Sequence, residues 1–140
     1  MVSPELALEW AEVVQSSSEK MLRRIAGEYH EDEWGFDEEF AEAAFPIFEF
    51  LYSSWWRVRV EGIQNVPGHG RALLVGNHAG SIFPFDATMI ATAIQREHPL
   101  PRWVRAQVLN WAFDLPFVSY LVRRVGGVAA NPANLSRLLD

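Results

Sequence analysis

The sequence predicts an α/β layered fold with a mostly parallel sheet, entered through a helical segment. Three observations predict it. Residues 1 to 57 carry apolar side chains at helical spacing. After residue 58, short apolar or alternating runs trade places with helical patterns, as when strands are joined by crossover helices. At 140 residues and 49% hydrophobic, the chain is long enough to bury one core.

The elements follow in order. Ser3 is a capping hydroxyl, and Pro4 stands where a missing N–H costs nothing. Leu6, Trp10, Val13, Val14, Met21 and Ile25 then recur at helical spacing up to Gly27, a suitable end. Asp37 is placed to cap a second helix. Phe40, Phe45, Ile47, Phe48, Phe50, Leu51, Tyr52, Trp55 and Trp56 make that helix aromatic on more than one side, and Pro46 predicts a kink or break within it. Such a helix calls for burial against the core or for contact with lipid.

Arg57 to Glu61 alternates as a half-exposed strand does. Asn65 to Gly70 is turn chemistry, and Leu73 to Val75 reads as a short buried strand. Asp86 or Ala87 to Arg96 reads as a helix with Met89, Ile90, Ala93 and Ile94 inward. Arg102 to Ala106 reads as a third strand, and Gln107 to Val125 as one helix broken at Pro116. Val128 to Ala130 reads as a fourth strand. Asn131-Pro132 opens a last helix with Leu135, Leu138 and Leu139 on one face.

Composition excludes several classes. Cysteine is absent, so there is no disulfide framework, thiolate nucleophile or cysteine metal site. A net charge of −6 argues against a nucleic-acid binder, whose affinity comes from basic contacts to phosphate. The acids concentrate between residues 28 and 42 and read as a solvated loop and helix start. Residues 1 to 20 lack the basic start and apolar run of a signal peptide. The richest apolar stretch, Trp103 to Val122, is broken by Arg105, Asn110 and Asp114, short of the roughly 18 apolar residues of a spanning helix. The expectation is a cytoplasmic chain, soluble or peripheral on the inner face of the membrane.

The chemistry concentrates in Leu73 to Asp86. A short apolar run ends in Asn77-His78; Ala79-Gly80-Ser81 follows, then Ile82-Phe83-Pro84-Phe85-Asp86. An imidazole takes a proton from a hydroxyl near neutral pH, so His78 is the candidate general base. A carboxylate on its other nitrogen fixes the tautomer, which makes Asp86 the candidate orienter. Gly80 and Pro84 allow a sharp reversal between them. Asn77 and the backbone amides of Ala79, Gly80 and Ser81 are candidates for binding a developing oxyanion. Ser81 lacks the Gly-x-Ser-x-Gly elbow of a covalent nucleophile. A metal hydrolase built on His69, His78 and Asp86 has no His-x-x-x-His spacing to support it.

The string Val58-Arg59-Val60-Glu61-Gly62, Asn65-Val66-Pro67, Ala72 to Val75 and Asn77-His78 resembles the phospholipid and glycerol acyltransferase family, the lysophosphatidate acyltransferase superfamily. The form Asn-His-Ala-Gly…Pro-Phe-Asp looks most like its bacterial branch of monoacylglycerol and diacylglycerol acyltransferase-like proteins. Pro116-Phe117 through Arg123-Arg124-Val125-Gly126-Gly127 to Asn131 looks like the family's second block.

The resemblance implies the front part of an acyltransferase domain over 58–140; the N-terminal helices over 1–57, by their aromatic content, are expected either to pack on the core or to form a membrane-interface element. It implies transfer of a fatty acyl group from acyl-CoA or acyl carrier protein to a glycerolipid hydroxyl, with no cofactor and no metal. Arg123 and Arg124 are candidates for the CoA or head-group phosphate.

Two positions depart from the family pattern. The family's Asp stands five residues after His; here Phe83 holds that place and the acid is Asp86, eight after. The family's phosphate-gripping Arg aligns with Asn131, which points to a neutral acceptor. The family's third block, a Pro-Glu-Gly loop, would follow the last helix, so the chain ending at Asp140 is expected to be truncated at its C-terminus. The departures also keep a rival reading open, a non-catalytic lipid- or partner-binding module on the same fold.

Overall fold

In the computed structural model, which describes residues 4–27, 30–78 and 83–140, helix α1 spans Pro4–Ile25. Ser3 lies outside the described residues, and so do the side chains of Leu6, Trp10, Met21 and Ile25. Val13 is half-buried and Val14 exposed.

Helix α2 spans Glu38–Phe50, with Asp37 as its cap: Asp37 Oδ1 accepts the Phe40 N–H at 2.9 Å. Pro46 does not break it. A proline inside a helix removes one hydrogen bond, and packing of α2 against α1 and α3 offsets that loss. The irregularity comes later, where α2 runs into a π-helical turn, Leu51–Trp55. There the Trp56 N–H donates to the Leu51 carbonyl at 2.9 Å.

Tyr52, inside this turn, is fully buried, and its hydroxyl donates to Glu97 Oε1 at 2.5 Å. Burial and the neighbouring Glu97 push the phenol up to about 12. Tyr52, Met89 and Ala93 form a core against which Leu51, Val58, Val60 and Ile63 pack. Residues 57–61 thus keep the alternation expected of a strand but join no ladder. Alternation sets which side chains face the core; a strand also needs a partner edge.

Leu73 to Val75 departs further. The segment forms no strand, and all three side chains are exposed, Val75 at 87%. An apolar run predicts a need for cover, and no strand among the described residues pairs with it.

Helix α3 spans Phe85–Glu97 and buries Met89, Ala93 and Ile94; Ile90, expected inward, is exposed. Beyond it, buried His98 ties two loops together. Its Nε2 donates to the Val66 carbonyl at 2.8 Å, and its Nδ1 lies 2.8 Å from the Leu100 carbonyl and 3.0 Å from the Leu100 amide.

Strand β1 is Ala106–Val108, later than expected, so Gln107 and Val108 belong to a strand and not to a helix. The anticipated broken helix is two: α4, Trp111–Asp114, and α5, Val118–Arg124, separated around Pro116. Strand β2, Gly127–Ala129, pairs parallel with β1 in the register Ala106↔Gly127 and Val108↔Ala129. Helix α6 spans Pro132–Leu139.

The corner into β2 requires two glycines. Gly126 has φ +99°, and a Cβ there would lie 2.9 Å from the Val104 carbonyl oxygen. A Cβ on Gly127 would lie 2.3 Å from Val122 Cγ1. The described architecture is therefore mixed helix with a two-stranded parallel sheet, compatible with part of an α/β acyltransferase fold.

The acidic segment is exposed at Glu31, Asp32 and Glu33, as expected of a solvated loop, but arginines tie it down and Asp37 is buried. Arg124, buried at the end of α5, pairs with Asp37 and Glu31. Arg105 pairs with Asp32 at 2.6 Å, and Arg137 of α6 with Glu33. Burial lowers the Arg105 guanidinium from its ordinary value, and Asp32 opposes that shift. These pairs clamp the segment before α2 onto the elements around β1 and β2.

Candidate functional site

Asp86 sits in the first turn of α3, where the helix dipole favours a negative charge. The preceding Pro84 and Phe85 turn the chain into that helix: the Phe85 N–H donates to the Phe83 carbonyl at 2.9 Å, and Thr88 returns both its N–H and its hydroxyl to the Pro84 carbonyl. His78 ends the exposed apolar segment. The two side chains meet. Asp86 Oδ2 lies 2.8 Å from His78 Nδ1, and Oδ1 lies 3.1 Å from the same nitrogen. The two carboxylate oxygens divide their work, because Oδ1 also accepts the Ala87 N–H at 2.9 Å.

The eight-residue spacing therefore returns the acid to the imidazole. A carboxylate only accepts, so Nδ1 carries the proton and Nε2 holds the lone pair of the neutral ring. That is the tautomer a general base requires. The His78 side chain is 53% exposed and Asp86 23%, so the imidazole is open to solvent while its partner is partly shielded.

The other expected site residues are dispersed. Asn77 is exposed beside His78. Gly80 and Ser81, with Ala79, lie outside the described residues. The Arg123-Arg124 pair is split by burial: Arg124 is held by Asp37 and Glu31, whereas Arg123 is exposed, its guanidinium 4.8 Å from the Phe113 ring centre. Asn131 caps α6, its Oδ1 accepting the Asn134 N–H at 2.8 Å. His69 is exposed in its turn, and no group of three His, Asp or Glu side chains among the described residues is placed to hold a metal ion.

One feature escapes a reading by periodicity. Trp56, Phe83 and Phe85 come together at the start of α3, Phe85 being next in sequence to Asp86: Trp56 and Phe85 have ring centres 4.7 Å apart, and Phe83 stacks on Phe85 at 5.5 Å. The Phe83-Pro84-Phe85 string inside the longer loop is the signal that points to it.

Residues 57–139, more than half of the chain, match the family model described as Acyltransferase. The chain belongs to the acyltransferase family. This is the lysophosphatidate acyltransferase family, and the match covers both the His78–Asp86 string and the block ending at Asn131. An uncharacterised protein of Mycobacterium leprae is 42% identical over 132 residues, covering 94% of this chain and 36% of the relative. Uncharacterised proteins of Mycobacterium bovis and Mycobacterium tuberculosis are each 38% identical over 130 residues, covering 92% of this chain and 36% of each relative. The chain thus spans about a third of the length of the curated relatives it matches. No solved structure matches it significantly. No helix among the described residues of this acyltransferase-family chain is long and apolar enough to cross a membrane.

Proposed function

We propose that this chain carries the proton-transfer pair of an acyltransferase of the monoacylglycerol and diacylglycerol acyltransferase-like branch. The reaction moves a fatty acyl group from the thioester of acyl-CoA or acyl carrier protein to a glycerolipid hydroxyl. The 2.8 Å contact between His78 Nδ1 and Asp86 Oδ2 carries this reading.

His78 Nε2 takes the hydroxyl proton as the acceptor oxygen attacks the thioester carbon. A C–O bond forms and the carbonyl electrons move to oxygen, where Asn77 is placed in sequence to donate. Asp86 holds the imidazolium. Collapse breaks the C–S bond, and the departing thiolate takes the proton back from His78. No cofactor takes part.

Asn131, where the family places a phosphate-gripping Arg, favours a neutral acceptor, and its capping bond to Asn134 gives it other work. Arg123 is the exposed cation of its pair and the one suited to a phosphate of the donor. The helices of residues 1–57 form the part that meets the inner face of the membrane, with Phe50 and Trp55 exposed on them. The acyltransferase portion takes up 58–140.

The test is turnover of a radiolabelled long-chain acyl thioester with a monoacylglycerol or diacylglycerol acceptor, by wild type and by His78→Ala. Turnover abolished in the variant supports the pair. Lipid binding without turnover in wild type would instead favour the non-catalytic module.

A further inference from the structure

The π-helical turn at the end of α2 has a specific result. It delivers Trp56 to the first turn of α3, where its ring lies 4.7 Å from Phe85. The next residue, Arg57, holds a positive φ of 51°, a costly conformation for a side chain of that size. π-turns and such backbone outliers concentrate at functional sites. Here Trp56 stands between the two, after the π-turn and before Arg57. Phe83 extends the row, stacked on Phe85 with ring planes 22° apart. Phe83 occupies the position where the family pattern has its acid, so the longer loop adds an aromatic ring and sets the carboxylate beyond it.

The three rings remain substantially open: Trp56 is 39% exposed, Phe85 41% and Phe83 64%. An aromatic row this open to water is a surface that an apolar occupant would cover favourably. Its position says which. Phe85 and Asp86 are successive residues, so the row begins one residue from the carboxylate that holds His78. In the transfer, the chain being moved starts at the reacting carbon itself. Chains already on the acceptor start further off, across its glycerol carbons.

We infer that Trp56, Phe83 and Phe85 form the platform on which the first methylenes of the transferred acyl chain lie; this rests on the reading of His78 as the base of acyl transfer. The platform sets selectivity for long acyl donors over short ones. It is distinct from the Phe50 and Trp55 surface assigned to the membrane.

The test uses S-dodecyl-pantetheine and S-butyl-pantetheine, thioethers that carry the arm common to CoA and acyl carrier protein and cannot be turned over. Wild type should bind the dodecyl probe more tightly than the butyl one. Phe83→Ala, Phe85→Ala and Trp56→Ala should each weaken the dodecyl probe by about tenfold and leave the butyl probe unchanged, about the effect of uncovering part of one aromatic side chain. The unchanged butyl probe reports a folded variant, and exposed Phe83 gives a change with little packing to lose. Equal affinity of wild type for the two probes, or equal weakening of both by the variants, overturns the platform. So does weakening of 1-O-dodecylglycerol with the dodecyl thioether unaffected, which would assign the row to the acceptor. Loss of binding to phosphatidylcholine vesicles with both thioethers unaffected would assign it to the bilayer and also overturn it. The His78→Ala variant should bind the dodecyl probe as wild type does. Dodecyl binding through the row in a chain that never transfers an acyl group would overturn the reaction and the row's role in it, leaving a lipid-binding row, a result distinct from loss of dodecyl selectivity.

Discussion

Arg124 Nη1 donates to Asp37 Oδ2 at 2.9 Å, joining the end of α5 to the cap of α2 across 87 residues of chain. Both groups are buried, Asp37 also capping α2 through Oδ1. Removing one member of such a pair strands the other charge out of water. Arg124→Ala should therefore destabilise the fold by about 3–5 kcal/mol. Urea denaturation measures this. A loss below about 1 kcal/mol would mean that the arginine is dispensable to the fold.

The tautomer of His78 can be tested apart from its basicity. Asp86→Asn replaces an acceptor with a group that offers an N–H, so Nδ1 can accept and the ring proton can move to Nε2. Activity should fall at least about a hundredfold with the fold intact. Nitrogen-15 NMR of the imidazole should show protonated Nδ1 in wild type at neutral pH and protonated Nε2 in the variant. A variant with the wild-type tautomer would remove Asp86 from its orienting role.

Tyr52 predicts an alkaline loss of stability. Its phenol is raised from 10.0 to about 12 in the folded chain, so the unfolded chain gives up this proton first as pH rises. The buried phenol's contribution is complete below about pH 10 and disappears as pH climbs through about 12. Wild type should lose about 2–3 kcal/mol across that window beyond what Tyr52→Phe loses. Parallel unfolding curves for the two proteins would contradict this.

Gly127 predicts a steric coupling. A Cβ there would meet Val122 Cγ1 at 2.3 Å and the Val122 carbonyl oxygen at 2.8 Å. Gly127→Ala should cost about 1–3 kcal/mol by overpacking. In a Val122→Ala background the cost should shrink, because one of the two obstacles is gone. Equal costs in both backgrounds would show no coupling between the sites.

How much of this was legible follows from which forces are local. Asp37 and Asn131 read as caps and are caps, because a cap needs only its own next few residues. Breaks stand around Pro116 for the same reason. Leu73 to Val75 misleads: apolar content says what should be covered, and no element among the described residues covers it. The acids of 31–33 read as solvated and are exposed, but their pairing was hidden because the arginine partners lie 73 to 104 residues away. At the site, His78 and Asp86 could be named as candidates from their chemistry, but the path of the loop between them could not. The contact of Trp56 with Phe85 depends on a π-turn that no periodicity announces.

The carboxylate–arginine clamp also sets an order of events during synthesis. Its bonds close loops of 73, 87 and 104 residues, each with an entropy cost that grows with the logarithm of length. Arg137, the partner of Glu33, is made near the end of this segment. The segment leading into α2 is therefore made long before the last charge that fastens it is available. Throughout that interval the aromatic side of α2 is presented to whatever surface is near.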